Sequence, residues 1–192
     1  MSAGTFEVEE MHVGSQYTVP GMSQNDGNKA ADILQGRLSS MIDLQLTLKH
    51  IHWNVVGPNF IGVHEMIDPQ VDLVRGYADE VAERIAALGA SPLGTPGAII
   101  NDRSWDDYSV NRDKVQAHLA ALDLVYTGII EDTRKNIERL DDIDLVSQDM
   151  LIGHAGELEK FQWFVRAHLE SAGGTLVHEG KSTEKGAADK AR

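Results

Sequence analysis

Between residues 50 and 84 the chain reads HIHWNVVGPNFIGVHEMIDPQVDLVRGYADEVAER, which sets histidines and carboxylates against an apolar background. Imidazole nitrogen and carboxylate oxygen together are the donor set of a site for a divalent metal ion that accepts both. Burying the two beside each other is costly unless a cation or a hydrogen-bond network compensates. The residues in question are His52, His64, Asp68, Asp79 and Glu83. Each taken alone has an ordinary reading as well: a histidine satisfied in a core, or the solvated edge of an amphipathic helix, which is how we read Glu65 and Asp72.

The elements that position them follow from periodicity. Phe60, His64, Ile67, Val71, Val74, Ala78, Val81, Ile85 and Leu88 alternate steps of four and three, which puts His64 on the buried stripe of one helix. Leu34, Leu38, Met41, Gln45, Leu48, His52 and Val55 trace a second stripe, so His52 also faces inward while His50 points elsewhere. Asp68, Asp79 and Glu83 run along the flank of the first stripe. Asp68 and Asp79 return to nearly the same angle but stand about 16 Å apart along the axis, too far to share one metal. An antiparallel second copy across a two-fold axis brings the His64 and Asp68 end of one chain to the Asp79 and Glu83 end of the other, giving two mixed sites per dimer.

HIHWNVVGPNF, then GVHEMID, then YADEVAER, with the spacing from His52 to Glu83, resemble the signature of the Dps family, the miniferritins. The resemblance covers about residues 28 to 172 and is closest to the actinobacterial type, which carries N- and C-terminal extensions. It implies that His52, His64 and Asp68 of one subunit, with Asp79 and Glu83 of its two-fold mate, form an intersubunit ferroxidase site with more than one metal position. It further implies a hollow dodecamer that oxidises Fe(II), preferentially with hydrogen peroxide, stores ferric mineral and protects DNA from oxidative damage.

The rest of the 192 residues suits an all-α, ferritin-like four-helix bundle with a short extra helix in the crossover between helices two and three. Residues 1–29, where acids outnumber bases four to one, read as an N-terminal arm, 30–172 as the domain and 173–192 as a flexible polar tail. Helix one is expected from Asn28 to Val56, and helix two from an Asn59 cap to Gly89 with a kink at Pro69. Thr95 and Pro96 open the short helix, Ser109 caps helix three to Leu140, and Asp144 caps helix four to Ala172. A di-iron centre inside one bundle needs Glu-x-x-His on two helices, and the expected helices carry none. His154 and Glu157 form a single reversed copy, read as a hydrogen-bond pair.

Several further residues carry weaker signals. ERLDDIDLVSQD places Asp141, Asp142 and Asp149 at a helix junction, which the resemblance makes candidates for the three-fold pores that admit Fe(II). Trp53 adjoins His52, where an indole could take up a stray oxidising equivalent, and Trp163 is read as core. Lys181, Lys185, Lys190 and Arg192 leave the tail one unit positive on a chain of net charge −13, so any DNA binding is expected to be weak and salt-sensitive. Cysteine is absent, and Glu7, Glu9 and Glu10 stand where a signal peptide needs basic and apolar residues. The expectation is a cytoplasmic protein, nucleoid-associated if DNA is bound, with no membrane span. Two other readings use the same residues: a DNA-binding protein acting mainly through its C-terminal tail, and a metal-dependent hydrolase.

Overall fold

The computed structural model describes residues 17–192. The first sixteen residues of the N-terminal arm lie outside the described part. Ser23, extended in backbone, accepts from the Asp26 N–H at 3.1 Å and starts α1 (Gln24–Asn54). The helix therefore begins inside the stretch read as an arm. Low helix propensity in Asn25, Asp26 and Gly27 hid the start, and the Ser23 cap with Asp26 in the first turn offsets it.

The connection to α2 (Phe60–Ala87) is five residues, 55–59, and two of them have left-handed backbones: Gly57 at φ 94° and Asn59 at φ 64°. Asn59 occupies the N-cap position, as expected, but its side chain makes no capping bond; its role is the left-handed turn itself. α2 runs unbroken through Pro69. α1 and α2 thus form a tight helical hairpin, and α4 (Val115–Leu140) packs along α5 (Leu145–Ala167) in the same way. The crossover between α2 and α4 holds α3 (Pro96–Asp102), with Thr95 at the N-cap position, its side chain making no capping bond, and Pro96 in the first turn. A two-residue parallel clip, β1 (Val55–Val56) with β2 (Asp113–Lys114), ties the end of α1 to the start of α4.

α4 starts at Val115 rather than after Ser109. The Ser109 N–H instead donates to Glu184 at 3.0 Å, a partner from the far end of the chain that local sequence could not reveal. The larger core cluster runs from Met41, Leu48 and Ile51 through Ile67 and Val74 to Leu119, Tyr126, Leu158 and Val165. A second, formed by Leu34, Leu38, Val81, Ile85, Leu140 and Leu151, closes the other end. Among the described residues no helix is long and apolar enough to cross a membrane.

The C-terminal segment departs most from expectation. Read as a flexible tail, it folds back instead: Val177 N donates to Leu169 O at 3.1 Å, and α6 (Glu184–Ala191), capped by Thr183, packs on α4. Ala187 and Ala188 are fully buried there. Two small side chains in a polar sequence give no visible apolar period, which is why composition alone suggested disorder.

Asp144 joins the two hairpins. Its carboxylate caps α5 by accepting from Val146 N and Ser147 N at 3.3 and 3.2 Å, and it takes the Arg84 guanidinium of α2 at 2.7 Å. Burial alone raises its pKa, but the donors Ser147 and Arg84 together outweigh that and hold the carboxyl below its ordinary value. Asp144→Ala removes a cap and strands a largely buried guanidinium, so we expect a loss of about 2 to 4 kcal/mol in stability at neutral pH. A carboxyl with a depressed folded pKa stabilises above its unfolded value and loses that effect as pH falls through the folded one. Thermal unfolding should accordingly show the gap between wild type and variant narrowing on acidification, and a pH-independent gap would contradict the assignment.

Candidate metal centre

The last turn of α1 delivers His52, and the turn at Gly57 and Asn59 brings the start of α2 back over it, with His64 in the second turn and Asp68 one turn further. The two imidazoles stack with centroids 3.6 Å apart. Each Nδ1 lies 3.0 Å from the other residue's backbone carbonyl: His52 Nδ1 from His64 O, and His64 Nδ1 from His52 O. A carbonyl can only accept, so both Nδ1 atoms carry the hydrogen, and it is Nε2 that holds the lone pair of the neutral ring. This is the tautomer a metal requires, fixed on both rings by backbone rather than by a side chain that could move.

Asp68 Oδ1 stands 3.2 Å from His52 Nδ1 and 3.0 Å from Lys49 Nζ. The hydrogen bond from Lys49 holds the Asp68 carboxyl below its ordinary pKa, with the neighbouring His52 adding to the effect. His52, His64 and Asp68 therefore lie together, with His52 buried, His64 half-buried and Asp68 exposed. His64 lies at the edge of its stripe rather than in the core because Phe60, one turn before it, opens the helix at the surface.

Asp79 and Glu83 do not join them. Both are exposed on the far half of α2, where Asp79 borders a shallow hollow with Gln45, Asp72 and Arg75. Among the described residues no group of three or more histidine, aspartate or glutamate side chains is set to hold a metal within the one chain. His64 and Asp68 thus stand toward one end of α2, and Asp79 and Glu83 toward the other.

His154 is buried but its partner is Glu80 of α2, with Nε2 to Oε2 at 2.8 Å, and not Glu157. Its ring stacks on Tyr77 at 3.7 Å, and burial lowers the imidazole pKa against the pull of Glu80. Tyr77 is pushed up to about 12 by burial and by Glu157 and Glu80. This group is a helix-to-helix pin. Helical spacing suggested the i to i+3 partner, and the contact is instead between helices.

Asp141 and Asp142 lie exposed in the turn between α4 and α5, with Asp149 exposed in the second turn of α5; Asp141 accepts from Gln148 at 3.0 Å. Trp53 is 71% exposed, with Lys49 Nζ 5.8 Å from its ring centre. Trp163 is 64% exposed and not core. Leu158, Phe161 and Val165 form the buried face of α5, and residue 163 falls about 200° around the helix from Phe161. Of the tail cations, Lys181 and Lys185 are exposed, Lys190 donates to Glu179 O at 2.9 Å, and Arg192 Nε meets Asp113 at 2.7 Å. His178 and Asp123, buried against each other at 3.0 Å, were not singled out from the sequence. An aspartate inside the apolar run LAALDLVY was the available signal.

The ferritin-like domain model matches residues 31–172. The chain is 78% identical over 178 residues to the DNA protection during starvation protein of Mycolicibacterium smegmatis, covering 93% of this chain and 97% of that one. The solved structure of Mycobacterium smegmatis Dps superposes with a TM-score of 0.87 at 78% identity, covering 89% of this chain and 98% of the other. DpsA14 from Streptomyces coelicolor does so with a TM-score of 0.84 at 57% identity, over 86% and 98% of the two chains. The four-helix architecture, the paired imidazoles at the α1 to α2 turn and this similarity over nearly the whole length agree: the chain belongs to the Dps family of ferritin-like proteins.

Proposed function

We propose that the protein is a miniferritin that oxidises Fe(II), preferentially with hydrogen peroxide, at sites shared by two copies of the chain. Iron is the substrate, held by His52, His64 and Asp68 of one subunit and Asp79 and Glu83 of its mate. The observation that carries this is a register in α2. The pairs 64 and 83, and 68 and 79, share one midpoint, between Leu73 and Val74, and that is also the midpoint of α2 itself (Phe60–Ala87). A two-fold axis crossing α2 there sets His64 opposite Glu83 of the second copy and Asp68 opposite Asp79 of the second copy at the same time. Gly76 is exposed close to that midpoint, and a Cβ there would meet nothing of its own chain within 4 Å, which suits two helices that approach closely.

The chemistry follows from the donors. The Nδ1 contacts leave Nε2 of each imidazole as the donor to a metal, and three carboxylates neutralise much of the charge of two Fe(II) ions. Two such ions give two electrons to one hydrogen peroxide, which with two protons becomes two waters, so the O–O bond breaks without releasing hydroxyl radical. Trp53, exposed beside His52, is placed to take up an oxidising equivalent that escapes. We assign Asp141, Asp142 and Asp149 to the pores that admit Fe(II), since an exposed acidic group at a helix junction focuses cations when repeated around an axis. The ferric product is stored in a hollow dodecamer in the cytoplasm. Consuming peroxide and Fe(II) together protects DNA, the role in the name of the mycobacterial relative, and the tail cations supply a weak contact to nucleic acid.

Anaerobic loading with Fe(II) followed by peroxide tests this, with ferric absorbance and size exclusion read on the same sample. The expected result is oxidation well ahead of the protein-free control by a multi-subunit particle that retains the iron. A monomer that leaves oxidation unaccelerated contradicts the reading.

A further inference from the structure

The C-terminal segment reaches the body through a buried ionic knot. Asp123 of α4, 2% exposed, accepts from Arg166 Nε at 2.7 Å and Gln162 Nε2 at 2.9 Å, both from α5, on one oxygen. Its other oxygen takes His178 Nε2 at 3.0 Å. His178 is 3% exposed, and its Nδ1 has no hydrogen-bond partner, so the ring is held by this one polar contact and by packing. Beyond it, Glu184 accepts from Ser109 N, Ala188 fills a seam beside Val110, Ala117 and Ala121, and Ala187 joins the larger core cluster. Leu176 and Ala191 add apolar contact at the edge of the core, and the His178 to Asp123 contact is the buried polar fastening of the segment.

Docking also commits the cations. Arg192 is paired with Asp113 and Asp189, and Lys190 with the Glu179 carbonyl. All four cations, Lys181 and Lys185 included, are exposed to solvent, and what sets Lys190 and Arg192 apart is these contacts. A phosphate backbone binds through cations that can leave their own partners, and it meets here a chain of net charge −13.

We propose that the docked C-terminal segment is an autoinhibitory strap: the His178 to Asp123 contact latches it to α4, and while latched it withholds Lys190 and Arg192 from nucleic-acid phosphates. This rests on the tail contact to DNA proposed above and adds its control. Opening the latch frees residues 173–192 as a flexible arm, adds two phosphate contacts and leaves the bundle and the metal centre unchanged, since His178 lies outside the four long helices.

The test compares the assembled wild-type protein with His178→Ala and with Ala188→Leu, which overfills the alanine seam and lifts α6 without changing charge. Trypsin cleavage after Lys185 reports docking. Polarisation of a labelled DNA duplex across a salt series reports binding, and iron oxidation reports that the particle is intact. Both variants should be cleaved at least tenfold faster, bind duplex more tightly at low salt, and show a slope of log affinity against log salt steeper by about two units. Removing Lys190 and Arg192 from the His178→Ala chain should return the slope to the wild-type value. Unchanged cleavage in both variants overturns the latch. Faster cleavage with unchanged affinity and slope overturns the inhibition while leaving DNA binding by the tail in place. If no form binds duplex even at the lowest salt, the DNA contact and its control fall together, and the ferroxidase reading stands apart from both.

Discussion

His52→Ala/His64→Ala should lose peroxide-driven iron oxidation to the level of buffer alone. Losing a group that merely orients a metal ligand costs about ten- to a hundredfold in affinity, and a ligand itself costs at least that. Two independent losses then weaken Fe(II) binding by roughly a hundred- to ten-thousandfold. The double variant also removes the reciprocal contacts from each imidazole to the other residue's carbonyl, which fasten α1 to α2. Asp68→Asn serves as the companion, because it leaves both imidazoles and both contacts in place. Rapid-mixing traces should show both variants failing in oxidation while eluting as the assembled particle. A double variant that keeps half the wild-type rate excludes the imidazoles as ligands.

The features legible in the sequence are those that depend on local period. His52 and His64 sit on stripes of opposite helices joined by a short break, and a hairpin is the only short way to bring them together. The crossover helix announced itself through Thr95 and Pro96, and the α5 start through Asp144. What local pattern could not supply was any partner distant in the chain. Ser109 looked like a cap, but its N–H is taken by Glu184. His154 looked paired with Glu157, but Glu80 on another helix holds it. Trp163 looked like core because large aromatics usually are, whereas its angle on α5 turns it outward. The C-terminal segment is the extreme case: its buried polar fastening is one histidine on an aspartate, and its packing is three alanines and Leu176, too little to stand out in the composition.

The site itself is half legible in another sense. Asp79 and Glu83 stand on the same face of α2 as Asp68 but several turns away, so the single chain poses the problem without containing the answer. We propose that a second copy supplies the missing partners through the shared midpoint of the two residue pairs.

Complementation tests it most directly. One chain carries His52→Ala/His64→Ala and the other Asp79→Asn/Glu83→Gln; each alone is inactive. In a mixed dimer one site collects both defects, while the other takes its imidazoles from the second chain and its far carboxylates from the first, and is whole. Random equal co-assembly makes half the dimers mixed, each with one intact site of two, so roughly a quarter of wild-type activity should return. The chains must be co-expressed or refolded together, with mixed particles verified by mass. Recovery near that level is the predicted result; verified mixed particles whose iron oxidation stays at the level of the single variants contradict a site built across the two-fold axis.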